Sequence, residues 1–172
     1  MKHVTIIATS LNEQSKSQLI ARLLESELNQ VGTSCELVDL RELDLPMTGS
    51  AASWGSTDAA ALATKVEKSS HIIFAVPIYC YDVNAAAKNV IELIGRSFTK
   101  KVVSFACSAG GANSYMSVMG MANHLMLDFR SIIVPRFLYV DPTGWNEDQL
   151  TEDMTKRLKQ LIEDMAEIQV NL

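Results

Sequence analysis

The sequence predicts an α/β fold, a three-layer sandwich in which a five-stranded parallel sheet of order 2-1-3-4-5 carries helices on both faces. Three observations predict it. Short β-branched runs alternate with helical periodicity along the whole chain. No internal repeat, low-complexity tract or linker-like stretch divides them, so residues 1-172 read as one domain. The composition, 48% hydrophobic and 20% charged over 172 residues, is that of a packed globule large enough for a single core.

Each element has its own signal. His3 to Ala8 is a buried strand, and Leu19, Ile20, Leu23, Leu24 and Leu28 then follow at spacings that line one helical face. Cys35 to Leu40 is the second strand, Thr57 to Lys68 a helix, Ile72 to Val76 the third strand, and Asn84 to Ile94 a helix. Val102 to Cys107 is the fourth strand and Ser114 to Asp128 a helix. Ile132 to Val140 is strand interrupted by Pro135. The last helix carries Leu150, Met154, Leu158, Leu161, Ile162 and Met165 on one stripe, with Asn146 and Gln149 spaced like a cap at its entry. Parallel neighbours need right-handed crossovers, which is why the helices fall on both faces.

Charge and cysteines narrow the function classes. Fifteen Lys and Arg against 20 Asp and Glu leave a net charge of -5, with no basic segment to hold a nucleic-acid backbone. Cys35, Cys80 and Cys107 are too few and scattered for a disulfide framework, and no C-x-x-C pair is present, which fits a reducing, cytoplasmic setting. There is no signal-peptide pattern after Met1, and no apolar run approaches the roughly 20 residues of a membrane helix. No membrane partner is expected.

In the 2-1-3-4-5 order, that of flavodoxin-like folds, winding reverses between the first and third strands, and a ligand crevice opens beyond their carboxyl ends. Three loops reach it. Thr9-Ser10-Leu11-Asn12-Glu13-Gln14-Ser15-Lys16-Ser17 supplies hydroxyls and amides just before a helix, a place suited to a single terminal phosphate. It lacks both the P-loop and the G-x-G-x-x-G pattern, and Ser15 with Gln18 is also an ordinary capping pair. Pro77-Ile78-Tyr79-Cys80-Tyr81-Asp82-Val83-Asn84 brings two aromatics to the crevice, where a flat heteroaromatic ring could lie; either tyrosine alone reads as loop packing. Ser108-Ala109-Gly110-Gly111-Ala112-Asn113 has two glycines that permit close backbone approach or positive φ, and a glycine pair is also routine turn chemistry.

Together these segments resemble the NADPH-dependent FMN reductase family, whose fold is flavodoxin-like. The first loop is similar to that family's glycine-serine-x-arginine-x-x-serine phosphate loop. Pro77-Ile78-Tyr79, with Ala86, Lys88 and Asn89, resembles its proline-x-tyrosine-asparagine-glycine segment and the alanine-x-lysine-asparagine helix that follows. Ser108-Ala109-Gly110-Gly111 resembles its glycine-rich flavin loop, and Val134-Pro135 its fifth-strand valine-proline.

The resemblance implies FMN as cofactor, NAD(P)H as electron donor, a small-molecule acceptor such as free flavin or a quinone, and a homodimer or homotetramer. It implies that Ser10, Asn12, Ser15, Lys16 and Ser17 hold the phosphate, that Pro77, Ile78, Tyr79, Cys80 and Tyr81 border the ring, and that Ser108, Ala109, Gly110 and Gly111 meet its polar edge. No catalytic side chain is required. Three departures bear on cofactor affinity. Asn12 stands where the family usually has arginine, Thr9 where it has glycine, and Cys80-Tyr81 where it has asparagine-glycine. They motivate a rival expectation, a flavodoxin-like binding, electron-carrier or scaffold protein without reductase turnover.

Other chemistries fit less well. Cys35 to Arg41 has the cysteine-x5-arginine spacing of a tyrosine phosphatase, but Glu36 and Asp39 would repel a phosphate there. The acidic residues of a receiver domain and the nucleophile elbow of a serine hydrolase are missing. His124 and Asp128 read as a surface pair, and no metal is assigned. Met116, Met119, Met121 and Met126 are expected in the core or, if outward with Ala85 to Ala87, at a homodimer contact. Trp54, in the long connection from Asp44 to Ser56, is expected to pack rather than to act as a flap.

Overall fold

A computed structural model describes residues 3–168. In chain order its strands are Val4–Ala8 (β1), Cys35–Asp39 (β2), His71–Tyr79 (β3), Asp82–Val83 (β4), Val102–Ser108 (β5), Ile132–Ile133 (β6), Leu138–Val140 (β7), Trp145–Asn146 (β8) and Gln149–Leu150 (β9). Its α-helices are Lys16–Gln30 (α1), Thr57–Lys68 (α2), Ala85–Ile94 (α3), Met119–Phe129 (α4) and Glu152–Glu167 (α5).

The sheet runs β2-β1-β3-β5-β6 with these pairings parallel, which is the 2-1-3-4-5 order of a flavodoxin-like fold once β6 and β7 are taken as one interrupted strand. Both fragments pair with β5, Ile132 and Ile133 opposite Val102 and Val103, then Leu138 to Val140 opposite Ala106 to Ser108. The break brackets Pro135, which has no N–H to give a ladder.

Side chains alternate across the strands and divide the core in two. Ile72, Phe74 and Val76 of β3 face α2, α3 and α4, with the Phe74 ring tilted against Phe98 at 5.4 Å and stacked on Phe105 at 6.1 Å. Ile73 and Ala75 face the other way, onto Ile20, Leu24 and Leu28 of α1 and Leu158, Leu161 and Met165 of α5. Each Leu, Ile or Phe buried in these layers contributes about 1.5–3 kcal/mol.

The amino edge of the sheet is closed by a histidine. His71 is buried, its Nε2 lies 3.1 Å from the carbonyls of both Met165 and Ile168, and its Nδ1 lies 2.8 Å from Ser70 Oγ. Burial pushes its pKa below the ordinary value, so the neutral ring anchors the end of α5.

Several expectations are corrected. β3 does not stop at Val76 but continues to Tyr79 and returns as β4. The fourth helix begins at Met119, not Ser114, because Ala112–Ser114 forms a separate 3-10 turn. Asn146 and Gln149 do not cap α5; they pair as β8 and β9, and Thr151 accepts the N–H of Met154 instead. Trp54 is 85% exposed rather than packed. Of the four methionines only Met121 is buried, while Met116, Met119 and Met126 are exposed along an apolar cavity of about 420 Å³ shared with Tyr115, Pro135 and Phe137. Among the described residues no helix is long and apolar enough to cross a membrane, and no three His, Cys, Asp or Glu side chains converge in a metal-holding group.

Candidate functional site

The loops after β1, β3 and β5 all leave the carboxyl rim of the sheet, and they are tied to one another. Thr9, fully buried, donates its hydroxyl to Asn84 Oδ1 at 2.7 Å, and Asn84 Nδ2 returns a bond to the Thr9 carbonyl at 2.7 Å. This reciprocal pair joins the first loop to the end of the second. It also explains why Asn84, the N-cap residue of α3, makes no side-chain cap bond. Thr9 therefore does what a glycine could not.

The first loop is a chain of neutral donors. Asn12 N–H donates to Ser10 Oγ at 3.3 Å, and Gln14 N–H donates to Asn12 Oδ1 at 3.0 Å. Ser15 Oγ lies 2.8 Å from Ser17 Oγ and caps α1 by accepting the Gln18 N–H at 3.4 Å. Ser10, Ser15 and Ser17 are buried at the rim, whereas residues 11–14 are exposed. Lys16 is turned outward to a neighbouring turn: its Nζ donates to the Glu147 carbonyl at 2.5 Å and to Asp148 Oδ1 at 2.9 Å, and sits 4.8 Å above the Trp145 ring. The hairpin of β8 and β9 thus holds the only lysine of the loop.

Beside this loop Asp39 accepts hydrogen bonds from Arg41 on both oxygens and from Gln18 Nε2 at 2.7 Å. Burial opposes its ionisation, but the guanidinium bonds and charge outweigh that and hold the carboxyl below the usual range. Arg41 stays charged, and its Nη1 also donates to the Glu13 carbonyl of the first loop at 3.5 Å. Cys35, at the other end of β2, is raised by burial and by Glu25, so no reactive thiolate accompanies it and the phosphatase-like spacing has no chemistry.

The second loop is a two-residue β-hairpin. Tyr79 pairs with Asp82, and the residues between them, Cys80 and Tyr81, have φ of 51° and 66°. Both lie in the left-handed region that type I′ turns require and that asparagine and glycine enter most readily. Tyr79 and Tyr81 are exposed at the crevice, Pro77 and Ile78 are buried in β3, and the Tyr81 hydroxyl donates to the Asn113 carbonyl in the third loop.

In the third loop Tyr139, from β7, donates its hydroxyl to the Gly111 carbonyl and lies 2.8 Å from Ser114 Oγ. Two tyrosines thus engage the carbonyls of this loop. Its N–H groups are left as donors: Ala109 N–H is used by Val140, but among the described residues neither Gly110 nor Gly111 N–H finds an acceptor. A Cβ built on either glycine meets nothing within 4 Å, so both border open space. Neither has positive φ, and Gly111 is extended at −176°. Close approach, not a left-handed turn, is what the pair provides.

All fourteen residues singled out in the sequence belong to these three segments, though Lys16 presents its ammonium to Asp148. The sequence reading missed the residues that bind the segments together, Thr9 with Asn84, and Tyr139. The fifth strand neighbours the fourth, so a tyrosine near its carboxyl end was the available signal for Tyr139.

Neutral hydroxyls, exposed loop N–H groups and exposed tyrosines thus gather at the carboxyl rim of a flavodoxin-like fold. The chain belongs to the NADPH-dependent FMN reductase family, whose model matches residues 1–146. No curated protein sequence matches it significantly. Among solved structures it is similar to an NADH:FMN oxidoreductase (EMOB) in its apo form, with TM-score 0.82 and 11% identity over 99% of this chain and 92% of that one. It is similar also to FerB, a flavoenzyme NAD(P)H:(acceptor) oxidoreductase from Paracoccus denitrificans, with TM-score 0.76 and 16% identity over 96% and 98%. A Streptococcus pneumoniae flavodoxin matches with TM-score 0.66 and 12% identity over 96% and 98%. At these identities the likeness is one of fold.

The donor set fits FMN at both ends. Two unpartnered N–H groups in open space suit the carbonyl edge of the isoalloxazine, and serine hydroxyls at the start of α1 suit a phosphate.

Proposed function

We propose that the protein is an FMN-binding, NAD(P)H-dependent oxidoreductase that passes a hydride from nicotinamide through flavin to free flavin, a quinone or another small acceptor. FMN, when bound, supplies the two-electron chemistry. The chain's own residues bind and orient. Gly110 and Gly111 N–H groups meet the ring's polar edge with Ser108 and Ala109 behind them, residues 77–81 border the ring, and Ser10, Ser15 and Ser17 receive the phosphate with Asn12 assisting. No side chain need transfer a proton.

The observation that carries this reading is the third loop, where tyrosine hydroxyls engage two carbonyls and two N–H donors are left facing open space. A homodimer or homotetramer accompanies the proposal. It is supported by the absence of any Asp, Glu, Lys or Arg between Val102 and Leu127, a stretch that exposes Tyr115, Met116, Met119, Met126 and Leu127. Three free cysteines suit a reducing, cytoplasmic setting.

The test is to titrate purified protein with FMN, follow fluorescence quenching, and then measure NADH and NADPH consumption with FMN, riboflavin and a quinone as acceptors. Saturable quenching with acceptor-dependent NAD(P)H oxidation is expected. Quenching without oxidation would make the protein an electron carrier, and no quenching would overturn the flavin reading.

A further inference from the structure

A cavity of about 660 Å³ opens between the first loop, the first two turns of α1, the chain beyond β2 and the turn of the β8–β9 hairpin. Glu13, Lys16, Gln18, Arg22, Arg41 and Asp148 line it, so three cations and two carboxylates face one space. They are not equivalent. Lys16 donates to Asp148 Oδ1 at 2.9 Å and Arg41 donates to Asp39, bonds that hold the two cations in place without discharging them. Arg22 has neither a hydrogen bond nor an ion pair among the described residues. Helical side chains lean toward the N-terminus, so Arg22 reaches back over Gln18, one turn before it, toward the loop.

The wall also holds an unmet hydrogen bond. Gln18 is 4% exposed, and its Nε2 donates to Asp39 Oδ1 at 2.7 Å, but its Oε1 is buried without a donor. Buried acceptors are seldom left so. Together these groups ask for a ligand of mixed character. The arginine fork matches a phosphate, whereas Glu13, Asp148 and the Gln18 amide oxygen accept from hydroxyls and disfavour a ligand that is anion throughout. A phosphate carried on a sugar meets both demands, and the volume is that of a small-molecule site.

We propose that this cavity is a subsite for a phosphorylated ribose, the 2′-phosphorylated ribose of NADPH, with Arg22 as the residue that selects NADPH over NADH. The proposal rests on the functional reading above and specifies its electron donor. A terminal 2′-phosphate is a dianion that Arg22, Lys16 and Arg41 can meet from several sides, and NADH has only a hydroxyl there. The cavity shares Ser15 and Lys16 with the loop assigned to the flavin phosphate, which brings donor and cofactor to one rim.

The experiment is calorimetric titration of the purified protein with NADP+, NAD+ and inorganic phosphate, at low and high salt, repeated with Arg22→Gln and Arg22→Lys. NADP+ is expected to bind about tenfold or more tighter than NAD+, by a margin that shrinks as salt rises. Arg22→Gln should remove that margin and leave NAD+ binding, FMN quenching and the denaturant midpoint unchanged, because Arg22 is exposed and bonded to nothing. Arg22→Lys keeps the charge without the fork and should restore part of it. In turnover, Arg22→Gln should raise KM for NADPH about tenfold with kcat unchanged. Equal affinity for the two dinucleotides overturns the proposal, as does an Arg22→Gln variant that weakens both alike. Inorganic phosphate bound as tightly as NADP+ overturns it too, by reducing the cavity to an adventitious anion site. Failure of the functional reading is distinct from all three: FMN quenching is then absent, whatever the dinucleotides do.

Discussion

The loops after β3 and β5 both arrive at the crevice, and they use backbone freedom in opposite ways. The first turns through two left-handed residues without a glycine, at Cys80 and Tyr81. The second has two glycines and no left-handed residue among them. One loop bears conformational strain to present side chains; the other gives up side chains to present its N–H groups. A glycine in a sequence is therefore a statement either about conformation or about space, and only the structure separates the two.

The largest effect on this arrangement should come from the joint that both crevice walls depend on. Asn84→Ala leaves the buried Thr9 carbonyl without its side-chain donor and the Thr9 hydroxyl with only the Ala75 carbonyl at 3.3 Å, and is expected to destabilise the protein by about 2 kcal/mol, read from denaturant midpoints. An unchanged midpoint would mean that the two loops are not coupled through this pair. Gly111→Val should weaken FMN by about tenfold or more, ~1.4 kcal/mol, because it fills the space the ring would occupy. Its unfolding free energy should stay within about 0.5 kcal/mol of wild type, since no protein atom is displaced. Equal loss of stability and affinity would make Gly111 a structural glycine.

The strain side of the comparison is tested by Cys80→Gly. Relief of the left-handed cost, less the entropy that glycine adds to the unfolded chain, predicts a gain of about 0.5–1 kcal/mol. Gly110→Ala, where φ is not positive, should leave stability unchanged within about 0.5 kcal/mol. Reversal of that order would remove the distinction between the loops.

The smallest effect lies at the opposite rim and serves as a control. His71 is neutral in the fold, with its pKa pushed down by burial, so its contribution is complete above its unfolded value of about 6.5 and is lost as pH falls below that. Chemical denaturation across pH 7 to about 5 should show this decline, and His71→Gln should flatten it.

How much of this was legible in the sequence follows from what each feature depends on. The strand order and all five helices were readable because burial on two faces imposes a period on residues such as Ile72, Phe74 and Val76. The second helix, Thr57 to Lys68, was read to the residue, and the structure adds Ser56 as its cap. The hairpin at Cys80 and Tyr81 was not, since neither residue carries the usual turn signal. Asn146 and Gln149 had the spacing of a cap but pair across a turn whose φ is positive at Glu147, which spacing cannot reveal. The methionines of α4 have helical periodicity on a helix that is apolar nearly all round, so periodicity could not say which side faces solvent. For the site, loop membership was legible, but the hydrogen-bond partners of Lys16, Thr9 and Tyr139 come from residues 25 to 132 positions distant, and no local pattern encodes them.

The interruption at Pro135 has a consequence for how copies of this chain can meet. Because the outermost fifth strand is split into pieces of two and three residues, it offers no long ladder of vacant amides on which a second molecule could extend the sheet. On this margin the sheet is therefore a poor template for runaway fibre growth.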